Sequence, residues 1–201
     1  MTFRITATTE LQAVNTLLSI IGEAPINTIT NQTGVDVAQA IQILDETNVE
    51  VQSRGWHFNT DINKKTTIDD TGKIPVASNV VQLDAAKGYT SQYNIVLRDG
   101  FIYDLENHTD QFTSAPTIDQ ITIQKFEAIP EVFRKLIVTR AGRKFQARVV
   151  GSTELQAFTE FDEQQALIDA ERIDAATADY NVLRDTSQVF NIINRTGRRT
   201  Y

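Results

Sequence analysis

Residues 130–150 and 153–184 read as two long helices of opposite charge, separated only by Gly151-Ser152-Thr153. The first carries Arg134, Lys135, Arg140, Arg143, Lys144 and Arg148 against one acid, Glu131. The second carries Glu154, Glu160, Asp162, Glu163, Asp169, Glu171, Asp174 and Asp179 against Arg172 and Arg184. A glycine stop followed at once by a threonine start leaves room only for an antiparallel return. The apolar rows must then supply a buried seam while the charged edges face each other. The sequence does not fix whether those edges pair within one chain or between chains. Such an arrangement holds shape and docks neighbours.

The N-terminal third repeats the helical period. Thr9-Glu10-Leu11-Gln12 has the form of a capping box, and Leu11, Val14, Leu17, Leu18 and Ile21 share one helical face. Gly22 ends that helix and Pro25 prevents its resumption. A second helix is predicted from Gly34 to Arg54, with Val37, Ala40, Ile41, Leu44, Asn48 and Val51 inward. The period then shortens. Trp56, Phe58, Thr60 and Ile62 alternate with polar residues as in a strand, and Val80, Val81 and Leu83 suggest another. Tyr93 to Leu97 and Phe101 to Leu105 form a hairpin around Asp99-Gly100, which supplies the positive φ angles of a tight primed turn. A last strand is expected over 120–126, ahead of Pro130 at the first helical position.

The expected fold is α+β: about four main helices in a bundle, an inserted small antiparallel β layer, and an extended C-terminal arm. Residues 1–55 and 127–184 form the helical part, 56–126 the β insertion, and 185–201 the arm. A chain of 201 residues with a 41% apolar fraction can bury a sizeable core. The formal charge of −7 opposes a broad non-specific grip on nucleic acid, yet an acidic wall suits a passage through which DNA slides. The chain has no cysteine, which excludes disulfides and thiolate metal sites. No signal-type segment follows Met1, and no apolar run spans a bilayer. Synthesis in a cytoplasm and no membrane partner are expected.

Reaction chemistry finds no foothold in the residues. His57 and His108 both fall in the β region without a nucleophile motif, and no metal-ligand spacing or phosphate-binding loop is present. Asp162-Glu163 lies on a helix already covered in acids, and Asp69-Asp70 lies in a turn where aspartate caps local backbone. No catalytic, cofactor or metal residues are expected. Trp56, beside Arg54 at a helix end, has two readings: a packing anchor, which is preferred, or part of a contact surface, since both residue types concentrate at interface hot spots. The basic helix reads as a solvated ladder of ion pairs in preference to a phosphate grip. Arg54, Trp56, Arg140, Lys144, Asp162 and Asp169 are the candidates for contacts between subunits. In the arm, Phe190, Ile192 and Ile193 precede Arg195, Arg198 and Arg199. An apolar anchor followed by arginines fits a segment that orders on a partner as well as a free terminus.

Several blocks in order carry a resemblance. Leu11-Gln12-Ala13-Val14-Asn15, Ile21-Gly22-Glu23-Ala24-Pro25, Gln52-Ser53-Arg54-Gly55-Trp56-His57-Phe58-Asn59, Ile129-Pro130-Glu131-Val132-Phe133-Arg134, Ile137 to Ala141 and Arg143 to Gln146 resemble the tail tubular protein A family of short-tailed phages. The resemblance runs from about residue 9 to residue 184 and implies a virion structural protein, the head-to-tail adaptor. It implies a twelve-fold ring of this chain between the portal protein and a nozzle of tail tubular protein B type. The ring seals the packaged head, docks tail fibres and lets DNA leave through its lumen without specific binding. No cofactor and no enzymatic activity are implied. Two other readings stay open: a virion-associated glycan hydrolase using paired carboxylates, and a DNA-binding module using the basic helix.

Overall fold

The computed structural model describes residues 6–30, 34–86, 93–149, 151 and 153–178, with backbone alone for 153–159. The architecture is α+β. Helix α1 (Glu10–Ile20) starts on the capping box: Gln12 N donates to Thr9 Oγ1 at 3.2 Å, and Thr9 N donates to Gln12 Oε1 at 3.0 Å. It buries Ala13, Val14, Leu17 and Leu18. Helix α2 (Val35–Gln52) buries Val37, Ala40, Ile43, Leu44, Thr47, Val51 and Gln52. Its inward face is therefore rotated from the expected stripe, with Ile43 and Thr47 fully buried while Ile41 and Asn48 stay at the margin.

Two layers meet where α2 ends. The expected strand over Trp56 to Ile62 is shorter, since His57–Asn59 forms a 3-10 turn and β1 runs only over Thr60–Lys65. Asn59 causes the difference. Its Oδ1 accepts from Trp56 N at 2.8 Å and its Nδ2 donates to Gln52 O at 2.9 Å, so the side chain closes the turn in place of a ladder. Strands β2 (Val80–Ala85), β3 (Ile95–Arg98), β4 (Phe101–Asp104) and β5 (Thr117–Thr122) follow. The order β1-β5-β2 makes an antiparallel sheet, and β3 pairs with β4 as a hairpin. Asp99 and Gly100 have φ of 53° and 81°, the primed turn the dipeptide predicts. The final strand ends at Thr122, before the expected limit, and Phe126 instead enters a 3-10 turn leading into the helices.

Helix α3 (Glu131–Val149) is the middle of the bundle, touching α1, α2 and α4 (Thr153–Thr177). Leu136, Ile137, Ala141 and Phe145 are fully buried there. Gly142 permits the close approach of α1, because a Cβ at that point would stand 3.0 Å from Ile20 Cδ1. The β layer has its own core of Ile74, Val80, Leu83, Ala85, Ile95, Ile102, Phe112 and Ile118. Trp56 and Phe126, at the two crossings between layers, both belong to the helical core.

Gly55 makes the first crossing possible. Its φ is 76°, and an added Cβ would lie 2.7 Å from Ile121 Cδ1 of β5. Gly55→Ala is expected to lower stability by about 3 kcal/mol, combining left-handed backbone strain with overpacking; urea denaturation measures it. Thr47 Oγ1 is buried without a hydrogen-bond partner among the described residues. Removing that hydroxyl by Thr47→Val should raise stability by about 1 kcal/mol in the same assay.

Candidate assembly surface

The basic residues of α3 divide into three groups once the neighbours are in place. On one edge, Arg140 Nε donates to Glu163 Oε1 of α4 at 2.6 Å and Arg143 Nε to Glu163 Oε2. On the other, Arg140 Nη1 reaches Glu50 Oε1 of α2 at 3.3 Å, Lys144 binds the second Glu50 oxygen, and Arg148 Nη2 reaches Glu46 Oε2 at 3.2 Å. The sequence pattern points only to α4 as the acidic partner, and α2 is the addition. Glu46 and Glu50 sit four apart on α2, matching the spacing of Arg140, Lys144 and Arg148, and that periodicity was the signal available.

Arg134 leaves the ladder altogether. It is buried, and its guanidinium donates to Ile129 O at 2.6 Å, to Thr8 O at 2.7 Å and to Glu127 O. Five donors in a rigid fork suit this task, and hydrogen bonds to carbonyls offset the desolvation of the charge. Glu131 completes the tie, accepting from Thr8 N at 2.8 Å and from the Thr8 hydroxyl. A second junction forms at Gln52, which is fully buried: its Oε1 accepts from Gln124 N at 2.8 Å and its Nε2 donates to Gln124 O at 2.9 Å. The amide thus pairs with the chain leaving the sheet as a strand neighbour does.

Glu163, with 13% of its side chain exposed, has opposed influences on its carboxyl. Burial pushes its pKa up, and the hydrogen bonds and charges of Arg143 and Arg140 outweigh this, so the net shift is downward. Glu10 and Asp45 shift the other way. Burial raises both, and for Glu10 the charges of Glu127 and Asp45 add to it. These acids line an open groove of about 340 Å³ with Asn48, Lys125 and Phe126 at the junction of the layers.

Helix α4 is attached along one side only. Ala166 and Ala170 are buried against α3, Arg54 pairs with Glu171, and His57 N donates to Asp174 Oδ1 at 2.8 Å. Its far side carries Phe161 and Ile168, 68% and 56% exposed. Seven residues apart, they share one face. Val149, at the end of α3, is exposed as well.

The candidate residues are distributed accordingly. Trp56 is 4% exposed: its ring centroid is 4.9 Å from that of Phe133 and its Nε1 donates to Val51 O at 2.7 Å, so it anchors the core. Arg54 stacks over that ring at 4.8 Å while pairing with Glu171. Arg140 and Lys144 pair within the chain, Asp169 pairs with Arg172 at 3.5 Å along α4, and Asp162 is exposed beside a groove lined by Thr16, Ile20, Gly142 and Arg143. Phe190, Ile192, Ile193, Arg195, Arg198 and Arg199 lie outside the described residues.

The remaining polar groups hold turns. Asp69 Oδ1 accepts from Thr71 N, Thr71 Oγ1 and Lys73 N, and these bonds lower its pKa. Asp104 is buried and accepts from Glu106 N at 2.9 Å and Asn107 Nδ2 at 2.7 Å, with His108 at φ 52° in the same turn. Among the described residues no group of three or more His, Cys, Asp or Glu could hold a metal ion, and no helix is long and apolar enough to cross a membrane.

A family model described as tail tubular protein matches residues 11–180. The chain belongs to the tail tubular protein family, and is thereby a structural protein of a phage virion's tail that interacts with other parts of the particle. No curated protein gives a significant match.

Glu163→Gln is expected to cost about 2 kcal/mol by leaving Arg143 without its charged partner and Arg140 with Glu50 alone. The pH dependence has a definite sign. A carboxyl whose pKa is lowered by folding contributes stability that is fully present above its usual 4.5 and lost as pH falls through the folded value. The gap between wild type and Glu163→Gln in denaturation midpoint should therefore be constant near neutrality and narrow below about pH 4.5.

Proposed function

We propose that the chain is the head-to-tail adaptor of a short-tailed phage, assembled as a twelve-fold ring between the portal protein and the tail nozzle. The observation that carries the reading is the unfinished outer side of α4. A 25-residue helix whose described inward residues are Glu163, Ala166, Leu167 and Ala170 leaves Phe161 and Ile168 in solvent on its other side. A monomer gains nothing from that exposure, whereas a ring places the next copy against it. Exposed Asp162, and Asp169 and Arg54 at the margins of α4, are within reach of such a neighbour. Arg140 and Lys144 act there indirectly, by fixing α3 between α2 and α4.

The charge pattern supports a DNA conduit. Arg140, Arg143, Lys144 and Arg148 are neutralised by acids of the same chain, and the net charge is −7. A lumen built from such subunits repels phosphate and does not hold the genome. Tail fibres and a nozzle of tail tubular protein B type are the further partners. Phe190, Ile192, Ile193, Arg195, Arg198 and Arg199 are assigned to the portal, with apolar residues as anchor and arginines meeting acidic groups.

Electron microscopy of particles tests the location: density for this chain in a collar between capsid and tail is expected, and density elsewhere rejects the adaptor role. Removal of residues 185–201 tests the arm. The truncated chain should keep its circular dichroism spectrum and unfolding midpoint while losing co-purification with the matching portal; undiminished portal binding rejects the assignment.

A further inference from the structure

Phe161 stands between Glu160 and Asp162, and all three are exposed. Successive helical residues project about 100° apart, so the phenyl ring has an acid on either side. A site of complementary character lies in the β layer. Beside β1 is a cleft of about 220 Å³ with Ile74, Ile102 and Ile118 in its floor and Lys64 and Lys65 at its rim. These lysines are exposed and form no ion pair among the described residues. An apolar cavity of about 150 Å³ already admits benzene, so the cleft has room for a phenyl ring.

Resting on the adaptor reading, we propose that Phe161 of one copy inserts into the β1 cleft of the next, with Lys64 and Lys65 meeting Glu160 and Asp162. Phe161 cannot fill its own cleft. Helix α4 meets the β side of the molecule through Asp174 at His57, and Phe161 lies thirteen residues away, about 20 Å of helix. Knob and hole therefore occupy different surfaces, which makes the contact heterologous and able to propagate around a ring. Strand addition is not the mode. β1 is an edge strand, but its register shifts between Asp61 and Lys64, and Asn63 has φ 57°, which together with the lysines blunts backbone pairing. Val49 of α2 is also exposed, but its neighbours in the helix include Asp45, Glu46 and Glu50, and it offers an acid-flanked knob no free cation like Lys64 or Lys65.

The absence of cysteine from the chain allows a clean test. A variant carrying Glu160→Cys and Lys64→Cys, which keeps Phe161, is assembled into tails and treated with a short bismaleimide. A ladder of covalent multimers is expected from the double variant and monomer from either single variant. Adding Phe161→Ala should reduce the ladder about tenfold. Dimer from Glu160→Cys alone, no ladder from the double variant, or a ladder indifferent to Phe161→Ala overturns the contact. Imaging the same particles separates the two readings. A collar ring without crosslinks removes this contact and leaves the adaptor role standing; crosslinked multimers away from the collar do the reverse.

Discussion

Helix α3 combines two demands that conflict in most sequences: it is the centre of the bundle, and it carries six cations along its length. A helix buried against three others cannot turn that many charges to water, so most of them need partners that the neighbouring helices supply. Glu163 on α4 and Glu46 and Glu50 on α2 meet four of the six, and backbone carbonyls meet Arg134. The acids therefore set the rotation of α2 and α4 about their own axes. Surface ion pairs add only about 0–1 kcal/mol each. Their larger effect is exclusion: any other rotation strands a half-buried arginine.

That rotation decides what the molecule shows to its surroundings. With Glu163, Ala166 and Ala170 turned to α3, the opposite side of α4 must present Phe161 and Ile168. Alanine allows close approach but buries little apolar surface, and burial stabilises by only about 25 cal/mol per Å². The described outer side of α4 therefore keeps apolar surface that a contact outside the chain can bury. A tail protein has that option, since neighbours held in a particle meet at high effective concentration.

The sequence shows elements set by local rules and hides those set by distant partners. The capping box at Thr9, the stop at Gly22 and the Asp99-Gly100 turn each depend on a few adjacent residues, and each is legible and present. The opposite charges of α3 and α4 are legible as a pattern, but Glu50 as a partner lies 90 residues from Arg140 and has no local signature. The strand expected at Trp56 fails because one side chain, Asn59, competes for the backbone. Arg134 looks like its basic neighbours until three carbonyls from two distant segments converge on it. The resembling block over residues 52–59 gains a physical meaning here: Gln52, Gly55, Trp56 and Asn59 together form the joint between the two layers.

The junction so formed couples the layers mechanically. Gln52 fixes the strand exit at Gln124, Asn59 fixes the entry turn, and Arg134 fixes the carbonyls of Glu127 and Ile129 just beyond. Each is a hydrogen-bonded polar group in a poorly solvated place, where loss of one partner leaves the other unsatisfied and costly. In the proposed ring, where one layer carries the knob and the other the hole, a rigid junction matters. If the layers could pivot, the angle between successive copies would vary and closure would compete with open chains. In that proposed ring, buried polar contacts between the layers help to give each subunit a single angle to pass to the next.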